Sequence, residues 1–173
     1  IIQGEPGALI KGSGDERDAV NLHDCKHVII DGLAVTSADR AGIYLDHGKF
    51  ITIRNCHTFD NGKWGIFTNH SSDFILENNE CSGSGIEHGI YHSNSGDNFI
   101  VRGNIIHHNN ANGLHVNGDP AYGGDGIISR GIIEGNIIFG NGKAGGAAIN
   151  MTHVQDVLVR NNLIYDNHSG AIT

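Results

Sequence analysis

Apolar and polar residues alternate in short bursts along the whole chain. HVII, FITI, FILE, FIVR, GIIE and VLVR each turn one face of alternate residues inward. A period of two is that of a half-buried strand, and no stretch sustains helical spacing. A tight-turn residue closes each burst: Gly32, Asn55, Asn78, Gly103, Gly135 and Asn161, at intervals of 23, 23, 25, 32 and 26. A second anchor, just before a later strand, is Ala19, Gly42, Gly65, Gly89, Gly113, Ala148 and Ala171, at intervals of 23, 23, 24, 24, 35 and 23. Both anchors give one period, and together they place a long insertion between Gly113 and Gly135. The stretch Phe99–Asp119 shows the unit complete: strand FIVR, turn GN, strand IIHH, corner NNANG, strand GLHVN.

Three short strands in about 23 residues, with no helix, describe a parallel β-helix of about seven coils. The line of leucines and the helical return of a leucine-rich repeat are both missing. The alternation predicts the inward residues. Before the tight turn they are Val28/Ile30, Ile51/Ile53, Phe74/Leu76, Phe99/Val101, Gly131/Ile133 and Val157/Val159. After it they include Val35, Cys81, Ile106, Ile138 and Ile164. In the third strand they are Val20/Leu22, Ile43/Leu45, Ile66/Thr68, Ile90/His92, Leu114/Val116 and Ile149/Met151. One coil cannot bury enough to offset its own ordering, but a stack can. The first coil is looser and carries a polar KGSGDERD loop. Both ends fall inside a repeat, so residues 1–173 are expected to be a single β-helix domain taken from a longer one.

Several outward columns have a structural reading. The residue before the tight turn alternates in sign, Asp31, Arg54, Glu77, Arg102, Glu134, Arg160. Stacked at about 4.8 Å, these side chains form a ladder in which a wrong register sets like charges together. Asn79, Asn104, Asn136 and Asn162 form one amide column; Asn61, Asn109, Asn141 and Asn167 form another. A line of Ile29, Thr52, Ile75, Ile100, Ile132 and Leu158 invites cover by a partner or by further chain.

The formal net charge of -8 and the lack of a basic stripe argue against a nucleic-acid partner. No apolar run approaches a membrane span. Twelve histidines soften the acidity near neutral pH. Three cysteines, Cys25, Cys56 and Cys81, imply no closed disulfide framework.

The outward face of the third strand differs from the other columns. Its upper row reads Asn21, Tyr44, Phe67, Tyr91, His115, Asn150, and its lower row His23, Asp46, Asn69, Ser93, Asn117, Thr152. Rings beside amides and a carboxylate suit flat sugar faces and their hydroxyls, which makes Tyr44, Asp46, Phe67, Asn69, Tyr91, Asn117 and Tyr122 the candidate substrate-binding residues. Stacking that only rigidifies the sheet would give the same row. Around the fourth coil the histidines crowd: His88, His92, His107, His108 and His115. Long loops in a tight repeat are usually functional, and this one adds Asp119, Tyr122 and Asp125. His115, Asp119 and His88 are therefore the candidate catalytic residues, a His serving as general base with a carboxylate to orient it. Asp119 and Asp125 could hold a hard cation such as calcium, although no specific metal spacing is present. His92 is expected to be a satisfied core residue.

On the repeats ITIRNCHTFDNGKWGIFT, FIVRGNIIHHNNANGLHVNGD and VLVRNNLIYDNHSGAI, the chain resembles the right-handed parallel β-helix proteins of the pectate-lyase-like superfamily. The segments GIYHSNSGDN, NNANGLHVNGD, GGDGIIS and AAINM also resemble a bacterial subgroup of secreted members. The resemblance implies a right-handed helix, a secreted, extracellular or periplasmic setting, and polysaccharide as the partner. The family's lyases use Arg or Lys as base, often with calcium, on or beside the third-strand face. That face carries no Arg or Lys here. The family's clustered hydrolase aspartates and its epimerase DPHD motif are also missing, since Asp119-Pro120 runs on into Ala121-Tyr122. The expectation is a carbohydrate-active β-helix that binds, and as a lyase or hydrolase cleaves, a polysaccharide. The alternative is a non-catalytic scaffold or adhesin segment.

Overall fold

The computed structural model describes residues 1–13 and 17–173, so part of the polar KGSGDERD loop lies outside the described residues. Successive coils stack in parallel register into three long sheets. The first holds the strands before the tight turn, such as Ile75–Glu77 and Ile100–Arg102. The second holds those after it, such as Glu80–Ser82 and Ile105–His107. The third holds Asp18–His23, Ala41–Asp46, Trp64–Asn69, Ile90–Asn94, Leu114–Gly118 and Ile149–Thr152. Among the described residues the one helical element is a short 3-10 turn, Pro120–Tyr122. The middle coils also contribute to a small fourth sheet, Gly96–Asp97, Ile128–Ser129 and Val154–Gln155, which the sequence pattern does not announce.

The tight turns need a left-handed residue, which explains the choice of Gly and Asn there. Gly32, Gly103 and Gly135 have φ of 72°, 63° and 63°; Asn55, Asn78 and Asn161 have 52°, 54° and 55°. The predicted inward columns fill the core: Ile30, Ile53, Leu76, Val101 and Ile133 in the first sheet, Val35, Cys81, Ile106 and Ile138 in the second, and Ile43, Ile66, Ile90, Leu114 and Ile149 in the third are all fully buried. Gly131 completes the first column, because the ring of Phe99 occupies the space a side chain would take. A Cβ built on Gly131 would lie 2.2 Å from that ring. His92 is in the core, its ring edge-on to Phe74 and Phe99 and its Nδ1–H donating to Thr68 O at 3.1 Å, but it is not the satisfied residue expected, because its buried Nε2 has no hydrogen-bond partner. Burial lowers its pKa to about 4.

The first amide column is a continuous hydrogen-bonded ladder. Asn79, Asn104 and Asn136 each donate from Nδ2 to Oδ1 of the next Asn, at 3.0, 3.0 and 2.9 Å. The second runs from Asn109 through Asn141 to Asn167 and is interrupted at Ser84, between Asn61 and Asn109. The charge column is less continuous than a ladder. Its bridges form as three pairs, each Arg reaching back to the acid of the preceding coil: Arg54–Asp31 at 2.9 Å, Arg102–Glu77 at 2.6 Å and Arg160–Glu134 at 2.8 Å. The aliphatic line keeps register across the first sheet, half-buried from Ile29 to Ile132 and exposed at Leu158.

Candidate functional site

The third sheet sets the two outward rows in register, so that Tyr44, Phe67, Tyr91 and His115 are neighbours in one line and Asp46, Asn69, Ser93 and Asn117 in the next. The rings stack along the helix axis: Tyr44–Phe67 at 4.9 Å, Phe67–Tyr91 at 5.0 Å and Tyr91–His115 at 5.1 Å between centroids. Trp64, at the start of its strand, adds a ring 4.5 Å from Phe67 and 5.5 Å from Tyr91. Its indole N–H donates to Glu87 Oε2 at 3.1 Å. The amide row is wired together beneath: Asn69 Nδ2 donates to Asp46 Oδ1 at 2.8 Å and to Tyr44 OH at 3.3 Å, and Asn117 Nδ2 donates to Tyr91 OH at 3.3 Å. Burial raises the pKa of both tyrosines.

The insertion leaves the sheet after Gly118 and folds back toward the N-terminal coils. Asp119 caps the 3-10 turn by accepting Ala121 N–H at 2.9 Å. Asp125 accepts Ile127 N–H at 3.0 Å and Ser95 Oγ–H at 2.9 Å. His70, two coils back, donates from Nε2 to Tyr122 O at 3.1 Å. The loop therefore stands over the sheet edge and makes a cleft of about 400 Å³, lined by Arg17, Trp64, Phe67, Glu87, Tyr91, Ser93, Asn94, Asp119 and Tyr122.

Four of the expected residues thus meet in one cleft: Phe67, Tyr91, Asp119 and Tyr122. Asn69 lies on the strand of Phe67, and Tyr44 and Asp46 continue the face one coil toward the N-terminus. The expected histidine crowd is divided. His88 and His115 are in contact, whereas His107 lies in the second sheet and pairs with neighbouring His108 and with Glu80. Adjacency in sequence had merged two faces of the coil.

The His88–His115 pair has a defined proton order. Asn112 donates its backbone N–H to His88 Nδ1 at 3.2 Å, which leaves the His88 proton on Nε2. That proton is donated to His115 Nδ1 at 3.0 Å, so His115 carries its own on Nε2. Burial lowers the pKa of His88 to about 3, with neighbouring His115 adding to it, and that of His115 to about 4, so both rings are neutral at neutral pH. His115 therefore presents an Nε2–H that can donate a hydrogen bond, and its Nδ1 lone pair, already accepting from His88, is not free for the general-base role expected for it.

The face is also not free of arginine. The Arg40 guanidinium lies 4.2 Å from the centre of the Tyr44 ring and is held by Asp18 through hydrogen bonds of 2.8 and 2.5 Å. Burial works against its charge, but the Asp18 bonds prevail and its pKa is raised. Arg17 lines the cleft itself. Both sit at the corner before a strand, where alternation gives no direction to a side chain. Glu87 sits at such a corner too, whereas Trp64 is the first residue of its strand.

The carboxylates of Asp119 and Asp125 each hold their own turn, and two such groups do not supply the six to eight oxygens calcium takes. Among the described residues, the donors grouped closely enough to share one ion are His23, Asp46 and His47.

The right-handed beta helix region family model matches residues 10–145. The chain belongs to the right-handed β-helix family. Other members of this fold show how far the likeness extends. The periplasmic alginate epimerase AlgG superposes with a TM-score of 0.70 at 15% identity over 86% of this chain, which spans 39% of the epimerase. An alginate lyase from Paenibacillus sp. str. FPU-7 gives 0.64 at 15% identity, covering 92% of this chain and 67% of the lyase. The enzymatically active domain of bacteriophage CBA120 tailspike protein 2 gives 0.65 at 13% identity, covering 94% and 27%. At these identities the neighbours share the fold. No curated protein matches the sequence.

Proposed function

We propose that this β-helix binds a polysaccharide in the cleft between the third sheet and the Asp119–Ile127 loop, the polymer running on along the Tyr44 end of the face. The observation that carries the reading is the composition of the cleft: the rings of Trp64, Phe67, Tyr91 and Tyr122 together with the polar groups of Arg17, Glu87, Ser93, Asn94 and Asp119. Ring faces match the C–H faces of a pyranose, and the polar groups match its hydroxyls and carboxylates. Two structural neighbours, an epimerase and a lyase, act on alginate, which supports an acidic polymer as the first to try. On this reading the protein works outside the cytoplasm, where such polymers are met.

Cleavage belongs to the same reading. Asp119, oriented by Ala121 N–H, would take the proton beside the sugar's carboxylate as the C–O bond to the next sugar breaks, the leaving oxygen would take its proton from water, and the neutral His115, its Nδ1 occupied by His88, would donate a hydrogen bond from Nε2 to the developing charge. Calorimetry against alginate, polygalacturonate and a neutral glucan tests binding. Tyr91→Ala and Trp64→Ala should each weaken it about tenfold, since a ring contact contributes about 0.5–1.5 kcal/mol beyond its area. No binding to any of the three would sink the proposal. A reducing-end assay tests cleavage. Activity that survives both Asp119→Asn and His115→Ala removes these residues from the mechanism, and binding without cleavage reduces the protein to a binder.

A further inference from the structure

We propose that His23, Asp46 and His47 form a site for one divalent transition-metal ion of the zinc class, at the N-terminal end of the third sheet and apart from the cleft. His23 and Asp46 are register neighbours in that sheet. His47 follows Asp46 at a left-handed corner, φ 52°, which turns its ring back onto the same carboxylate. Each carboxylate oxygen then faces one imidazole: His23 Nδ1 is 3.0 Å from Oδ2 and His47 Nδ1 is 2.9 Å from Oδ1.

The count of hydrogens does not close around His23. Its Nε2 lies 3.0 Å from Asp24 Oδ2 while its Nδ1 faces Asp46. A neutral imidazole has one N–H for two carboxylates. With that proton on Nε2, the Nδ1 lone pair points at an oxygen lone pair, a conflict that either a second ring proton or a metal cation between them resolves. Donors about 2.0–2.1 Å from zinc lie roughly 3.3 Å apart in a tetrahedron, so each imidazole need draw back only a few tenths of an ångström from its carboxylate oxygen while the ligand atoms, all within 4.8 Å of one another, close onto one ion. The side chains of His23 and His47 are 62% and 53% exposed and free to do so.

Two imidazoles and one carboxylate make a borderline N/O set that favours zinc, nickel or copper over calcium or magnesium. Asp24 on His23 and Asn69 on Asp46 supply the outer contacts that orient ligands, and the two carboxylates balance a dication. The exposed side leaves a position open to water or an incoming oxygen.

The test is calorimetry and equilibrium dialysis of the untagged protein with zinc chloride, in the presence and absence of excess calcium. The expected result is one zinc per chain, not displaced by calcium. His23→Ala with His47→Ala should weaken it at least about tenfold, and Asp46→Asn should act in the same direction. Cobalt(II) should give the visible bands of a low-coordinate N/O site. His107→Ala with His108→Ala, which removes a histidine pair on the second sheet, should leave binding intact. Circular dichroism confirms that each variant is folded. The proposal is overturned by the absence of saturable zinc binding, by binding that survives the His23/His47 double change, or by binding lost only with His107 and His108.

Discussion

Asn104 is the most informative position at which to test what holds the coils together. Its Oδ1 accepts the Asn79 backbone N–H at 2.9 Å and Asn79 Nδ2 at 3.0 Å. Its Nδ2 donates to Leu76 O and to Asn136 Oδ1, both at 3.0 Å. Asn104→Ala removes all of these at once, and the consequences differ by partner. Asn136 Oδ1 keeps the Asn104 backbone N–H at 2.9 Å, and Asn79 Nδ2 keeps Ile53 O at 2.9 Å. The Asn79 N–H and the Leu76 carbonyl lose this partner deep in the stack. Each such group costs about 1–3 kcal/mol, so the change should cost about 4 kcal/mol, a large part of a domain's roughly 5–15 kcal/mol. Asn162→Ala is the control. That residue makes the same bonds to Asn136 and Ile133 but is half-buried in a coil near the C-terminal end, where water can replace it, so about 1 kcal/mol is expected. Urea unfolding followed by circular dichroism gives both values, and hydrogen exchange at the Asn79 amide reports the local effect. If Asn104→Ala costs no more than Asn162→Ala, the buried ladder is not what holds the coils in place.

Gly131→Ala should destabilise by about 1–3 kcal/mol, because its Cβ meets the Phe99 ring, and Phe99→Leu in the same chain should recover part of the loss; a double-mutant cycle in urea measures the coupling. Acid should weaken the fold before its carboxylates titrate. His88, His92 and His115 have folded pKa values lowered to about 3, 4 and 4, below the unfolded value near 6.5, so the unfolded chain binds protons first as pH falls. Their contribution is complete above pH 6.5 and drains between 6.5 and about 4 for His92 and His115, and on to about 3 for His88, at no more than about 1.4 kcal/mol per pH unit for each histidine. His92→Leu should flatten the urea midpoint over that window, and an unchanged slope would refute the assignment.

The stack was readable because two periods coincide in it. Alternation along a strand named Ile53, Leu76 and Val101 as inward, and the 23-residue repeat set Tyr44 beside Phe67. Corners obey neither period. Arg17, Arg40 and Glu87 reach the face from positions whose direction depends on a local turn, so the face looked free of arginine. The insertion marked itself by its length, but nothing in its residues says that it doubles back to His70. The His88–His115 contact joins a corner residue to a strand residue and is not a register pair, and its proton order rests on one backbone N–H, that of Asn112.

That doubling back alters the mechanics of the stack. A plain solenoid couples each coil only to the next, so it frays from its ends one layer at a time. Here the loop rooted at Gly118 bonds to Asn94 in the neighbouring coil and to His70 in the coil beyond it. It acts as a strut across three layers. Melting that enters from the N-terminal end should therefore halt where His70 meets Tyr122, then proceed through all three layers together. The cleft sits on that braced section, so the part of the molecule that meets a ligand is also the part least able to come apart layer by layer.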